Sequence, residues 1–550
     1  MIAIILFILL LIPLTAEAQT YETLQMIRPV ASGAAGTGLH ASNRVYRAYT
    51  GIEYNIHADA RGGKWPYSYS LSNAPSGMTI EAGPCTVIGP TCTAGTITWT
   101  SPTGTASNIV VTVRDSLGTE VTGTWTVTSS TTIGADGFCF VDVNNAAGGR
   151  NGSLANPYNT LLEVYNSCGA RSVLYLRSGT YATSVLRATC ALGGDGADYG
   201  YICQWADGSD PLIWIGYPGE TAVIDFGSTG SNDFELISTS SSIAWIDNLE
   251  IKNVGNIGFR FNIRNGYGSV VRRITAHDLN DGNEELNTAF FMWSSATSPD
   301  ESYWDTVQNS TFTGIFGDGI GIADNGCALK TYGVKRAIVE TSSFDNSAFP
   351  EAIVAIKSST NQVTIRAMTC GATTGVATCI GGNMAKDTGQ VNATSGEMYH
   401  NLLKSNTTGD TFGAITMVQN GVHPVGVFRI YRNTIIGQWL AKQYSVAYPI
   451  GPATFYDNVI VNGGGSGGSC PLRALCVLAD GGPIDYTQWV DNGDNVLGAN
   501  DGTIANATTG VLVGSSRTTY LGVAGFELLA STGGGGIGGR GSFGGTVRLQ

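Results

Sequence analysis

Glu351 and Lys357 bracket the apolar run of the segment EAIVAIKSSTN (351–361). Alternation along an extended chain sends Val354 and Ile356 to one face, the core, and Glu351, Ile353, Ala355 and Lys357 to the other. At about 3.3 Å per residue the carboxylate and the amine stand roughly 20 Å apart. That is too far for an ion pair, but several linked sugars span it. Nearby loops add carboxylates: HDLNDGNEE (277–285), TGIFGDG (313–319) and DNSAFPE (345–351). Stacked, these would align Asp278, Asp281, Glu284, Asp318, Asp345 and Glu351 along one edge. Gathered carboxylates suit Ca²⁺, a hard cation that takes several oxygens. Asp318, Asp345 and Glu351 are the candidate ligands, although a solvated turn edge has the same composition. Trp293 and Trp304 flank the loop SATSPDES and are placed to stack on sugar rings; core or loop-anchoring roles account for most tryptophans of such a chain. His400, beside Tyr399, is a third candidate for substrate contact. Hydrolysis by paired carboxylates would draw on Asp305, Asp318 and Asp324. The five His show no metal-ligand spacing.

Strands and turns must position these groups. A run of the form hydrophobic-x-Asn-x-hydrophobic recurs from Ile246, Val271, Val307, Val339, Ile365, Tyr399, Tyr431 and Tyr456, at intervals of 25 to 36 residues. Asn248, Asn309, Asn401, Asn433 and Asn458 hold its third place. A repeat of this length built only from strands and turns predicts a solenoid, one coil per repeat, whose stacked coils share a core. A large β-sandwich would also give short strands with turn signals. An Asn at each bend can stack on the Asn of the next coil and bond open backbone groups.

The chain has 550 residues, 43% hydrophobic and 13% charged, and a net charge of −13. That balance excludes a disordered chain and argues against nucleic acid as a partner. An acidic polysaccharide would need a local basic strip against this background. Residues 1–18 read as a secretory signal: an apolar run ending in Ala16-Glu17-Ala18. It lacks the usual basic start, so an uncleaved anchor stays open; no later segment is apolar enough to span a membrane. Eleven Cys, several close in sequence (Cys85/Cys92, Cys190/Cys203, Cys370/Cys379, Cys470/Cys476), suit loop-stapling disulfides outside the cell. Cys139/Cys168 could close the first coil.

Residues 19–43 read as an irregular leader. Residues 44–130 alternate like a small β-sandwich. Their runs PYSYSLSNAPSGMTI, GTITWTSP and VTVRDSLG resemble bacterial immunoglobulin-like or cadherin-like modules. The pieces FVDV, GRNGSLANPY, NTLLEVYNSC and SVLYLRSGTY resemble the opening coil of the right-handed parallel β-helix superfamily of pectate-lyase-like proteins. The resemblance implies an all-β chain: a right-handed parallel β-helix over 137–515 after the Ig-like sandwich, with a short helix capping the core and a Gly-rich tail over 516–550. EAIVAIKSSTN resembles a segment of the alginate lyase and chondroitinase B group of β-helix lyases. In that group a Lys draws the proton beside a uronate carboxylate, cations offset the carboxylate, and an Arg assists. The resemblance makes Lys357 the base and Glu351 a calcium ligand; Arg366, nearby but half a coil early, is the candidate for the assisting Arg. Glu351 stands one step off the family spacing, and Ile380 stands where the Arg is expected.

The expectation is a secreted protein acting on an acidic polysaccharide as a β-eliminating lyase, monomeric or trimeric, with Ca²⁺ as its possible cofactor. A non-catalytic adhesin or a phage tailspike on the same fold are the alternatives.

Overall fold

A computed structural model describes residues 21–183 apart from 34–42, 86 and 170, 184–190 being outside it. From 191 to 497 it describes the strands and many of their turns; residues 1–20, 498–550 and the longer loops between strands lie outside the description. The signal, the tail, Asp318 and Glu351 therefore fall outside the described residues.

Alternating apolar residues build the N-terminal module. Arg47–Tyr49, Glu120–Ser130, Thr105–Arg114 and Ser68–Ser72 form a four-stranded sheet; Tyr54–His57, Thr96–Trp99 and Met78–Ile80 form a three-stranded one. Their inner residues, among them Tyr54, Ile56, Ile97, Trp99, Val111 and Trp125, share one buried cluster. The expected irregular leader is in part ordered: Gln25–Arg28 pairs antiparallel with Asp59–Arg61.

From Phe138 onward the described strands pair in parallel, apart from the antiparallel pair Ala191–Leu192 and Tyr201–Ala206. This excludes an antiparallel sandwich and establishes a parallel β-solenoid. Each coil supplies strands to three ladders. The first runs through Val173–Leu176, Asp305–Gln308, Ala337–Glu340, Val363–Arg366 and Gly396–Tyr399. The second holds Ser343–Asn346 and Thr369–Ala372. The third, an 11-stranded sheet, holds Thr288–Trp293, Cys327–Tyr332, Ala352–Lys357 and Thr378–Asn383. Inward residues stack coil on coil: Val307, Val339, Ile365 and Met398 are fully buried, and Phe312 lies on Phe344 with ring centroids 4.8 Å apart. The helix Leu161–Ser167 buries Leu161 and Val164 against this core. Thr160 caps it, its hydroxyl accepting from Glu163 N at 3.1 Å.

The bends use Asn in two ways. Asn248 and Asn309 adopt φ of 58° and 49°, at the bend position that Ala367, His400 and Arg432 also fill with positive φ. Short polar Asn tolerates that conformation better than most residues. Asn401 and Asn433 sit one place further on, buried. Asn401 N donates to Asn433 Oδ1 at 3.1 Å, and the two amides donate to the Ile365 and Met398 carbonyls at 3.0 and 2.9 Å. The repeat read from Tyr399 is thus one residue out of phase with that read from Ile365, since Arg366 pairs with Tyr399. Disulfides close Cys85–Cys92, Cys139–Cys168 and Cys370–Cys379, as the spacing suggested.

Asp305 shows how the solenoid interior treats a carboxyl. It is fully buried and its Oδ1 accepts from Ser269 N at 2.9 Å, so it caps a bend rather than flanking a glycosidic bond. Burial pushes its pKa up to about 7, against the Ser269 N–H and the Arg28 charge. The folded state therefore holds a proton that the unfolded chain releases near pH 4, and stability from this group declines as pH rises from 4 to 7. Asp305→Asn removes that slope. Urea denaturation from pH 5 to 8 should show the wild type losing up to about 3 kcal/mol more than the variant.

Candidate functional site

Two outer faces bear the candidate residues, and the structure treats them differently. The outer face of the first ladder is sealed beneath the N-terminal module. Its Tyr175, Ile215, Trp245, Tyr399 and Tyr431 belong to the same buried cluster as the module's own core. The first-ladder strands around the candidate residues are buried at every position, as in AIVE, VTIR and GEMY. A strand buried on both faces reads as a continuous apolar run, which FCFV, VLYL and LIWIG show.

Arg366, expected beside the reacting sugar, lies in that seam at 1% exposure. Its Nε donates to Glu340 Oε2 at 2.7 Å, Nη1 to the Tyr67 and Tyr399 hydroxyls at 2.9 and 3.1 Å, and Nη2 to Ala60 O at 2.6 Å. Its guanidinium also lies 4.8 Å from the Tyr67 ring centroid. Trp304 is buried too, its ring flanked by the guanidiniums of Arg61 at 4.8 Å and Arg336 at 5.7 Å. His400 packs on Trp65 with centroids 4.7 Å apart. Burial, and then the charges of Arg432, Lys64 and Arg366, press its pKa down to about 3. Arg366, Trp304 and His400 therefore bind the module to the solenoid and are closed to a polymer. They are candidates by their neighbours in sequence, which carry no sign that a second domain covers this face.

The same seam holds further buried charge. Arg28 pairs with Asp59 at 2.5 Å and donates to Gly268 O at 2.7 Å. Arg272 pairs with Asp247 at 3.0 Å. The described hydrogen bonds, ion pairs and ring contacts of the module reach the first ladder and its adjoining bends.

On the third ladder the inward positions are described as buried: Val354, Ile356, Ile380 and Ile415. Alternation then assigns Lys357 to the outward set. Register places it in one row with its neighbours: Trp293 pairs with Tyr332, Tyr332 with Lys357, and Lys357 with Asn383. Two aromatic residues and one amine thus hold successive places on three coils about 4.8 Å apart. Tyr332 escaped sequence reading, because the intervals from Trp293 to Tyr332 and on to Lys357 differ, 39 and 25 residues, with loops of unequal length between. Asp345 lies on the second ladder, paired with Gly371, and so not in the row of Lys357.

No family model matches the chain, and no curated protein matches it. Among solved structures it resembles a rhamnogalacturonan lyase, with a TM-score of 0.29 and 13% identity over 65% of this chain and 87% of that one. A likeness of that size supports no conclusion on its own, and the functional reading is built from the register alone.

Proposed function

We propose that the protein binds an acidic polysaccharide on the outer face of the third ladder and cleaves it by β-elimination, with Lys357 taking the proton beside the uronate carboxylate. The observation that carries this reading is the row Trp293, Tyr332, Lys357. Aromatic faces stack on sugar rings, and an amine one coil away supplies a base on the same side. A base of this kind must be neutral at working pH, so its surroundings must disfavour the ammonium. The three disulfides suit an extracellular setting. A right-handed winding and an Ig-like topology for the module belong to the same reading. No step in it runs through Ca²⁺, because Asp345, the expected ligand that is described, is on another ladder.

A second reading, glycan binding without cleavage, is favoured by one observation: Arg366 is sealed away, so the arginine that the lyase resemblance implies is not on this face. Incubation with alginate, polygalacturonate and chondroitin sulfate, following unsaturated ends by ultraviolet absorbance, separates the two. Lys357→Ala should lower the rate by about 10²- to 10⁴-fold, the range for loss of a general base, with unchanged circular dichroism. Binding without new ends supports the second reading; neither binding nor new ends overturns both.

A further inference from the structure

The row of Lys357 continues beyond the two aromatics, and a second outward row runs beside it. Arg264 pairs with Trp293, which extends the first row to Arg264, Trp293, Tyr332, Lys357 and Asn383. Two residues earlier on each strand, Asn262 pairs with Phe291, Phe291 with Lys330, Lys330 with Ala355 and Ala355 with Gly381. These ten places hold three basic residues, three aromatic residues and no acidic one. Lys and Arg make up 29 of 550 residues, and the chain carries a net charge of −13. A basic strip is therefore concentrated where the fold aligns the coils.

We propose that Arg264 and Lys330 determine specificity on this face, holding successive carboxylates of a polyanionic chain that runs along the solenoid axis rather than along a strand. This rests on the polysaccharide reading above and names the residues that choose the polymer. The geometry sets the direction. Arg264 and Lys357 share a row three coils apart, roughly 14 Å at the inter-strand spacing. Lys330 stands one coil and two residues from Lys357, roughly 8 Å between Cα atoms. The three cations thus spread along the axis with Trp293 and Tyr332 between them, so a polymer following the axis meets charge, ring, ring and amine in order. A polymer lying along one strand would meet Lys357 alone. Lys330 has a second effect: a nearby like charge disfavours protonation of Lys357, the condition a base requires.

The full-length mature protein is titrated with alginate, polygalacturonate and neutral dextran at low and moderate ionic strength. Alginate or polygalacturonate should bind, dextran should not, and added salt should weaken binding. Arg264→Gln and Lys330→Gln should each weaken polyuronate binding by about three- to fivefold at low salt, as solvated charge contacts do, and flatten its salt dependence. If cleavage occurs, Lys330→Gln should also shift the acidic limb of the pH–rate profile to higher pH, which a merely structural role would not do. Equal affinity of both variants and wild type, with Lys357→Ala still inactive, overturns this inference and leaves the lyase reading standing. Tight dextran binding, or no polyuronate binding at all, overturns both.

Discussion

Arg366→Met should destabilise the protein by about 3–5 kcal/mol, the range for removing one partner of a buried ion pair. The cost arises less from the lost contact than from what stays behind. Glu340, 4% exposed, would keep a carboxylate facing an apolar seam. The Tyr67 and Tyr399 hydroxyls and the Ala60 carbonyl would each lose a donor. Equilibrium unfolding in urea measures the loss, and limited proteolysis near residues 62–66 reports whether the module has lifted. Adding Glu340→Gln should restore part of the stability, because it removes the unpaired charge. A loss under 1 kcal/mol in the single variant would mean that the seam is wet and the pair solvated.

Acid should loosen the same seam through His400. Its pKa is pressed to about 3 in the folded state, against about 6.5 for a free imidazole. The folded-state value is the lower one. Stability from this group is therefore complete above pH 6.5 and is lost as pH falls toward 3, because only the unfolded chain takes up the proton. At 1.36 kcal/mol per pH unit, acidification to pH 5 costs about 2 kcal/mol. Trp65, packed against the ring, gives a direct signal: its fluorescence should change over this range as the module separates. His400→Phe keeps a ring against Trp65 and should reduce the acid sensitivity between pH 6.5 and 5 by about that amount. An unchanged pH profile in the variant would remove His400 from the account. Asp305 acts in the opposite sense over an overlapping range, so in the wild type the two slopes largely offset each other and each is read from the difference between its own variant and the wild type.

Much of this architecture can be read from the chain, and the failures have physical causes. The solenoid follows from a repeat that keeps coil length over more than two hundred residues; the capping helix is expected only through the family resemblance of NTLLEVYNSC, although Thr160 and Glu163 signal its start. The inward places of Val354 and Ile356 follow from alternation alone. Arg366, Trp304 and His400 mislead because a candidate chosen from its sequence neighbours carries no sign of a second domain laid over the outside. The row of Trp293, Tyr332 and Lys357 is hidden for another reason. Register between coils depends on loop lengths, which vary here, so residues 39 and then 25 apart come to the same height.

The sealed seam also bears on how the chain reaches its final state. Arg28 bonds to Gly268 across 240 residues, Arg366 to Ala60 across 306, and Arg429 to Glu22 across 407. A chain made from its N-terminus completes the module long before the surface that covers it exists. Contacts this distant in sequence make assembly slow, and during that interval the module's apolar underside stays exposed. Synthesis therefore includes a vulnerable period that ends only when the coil bearing Arg429 is in place.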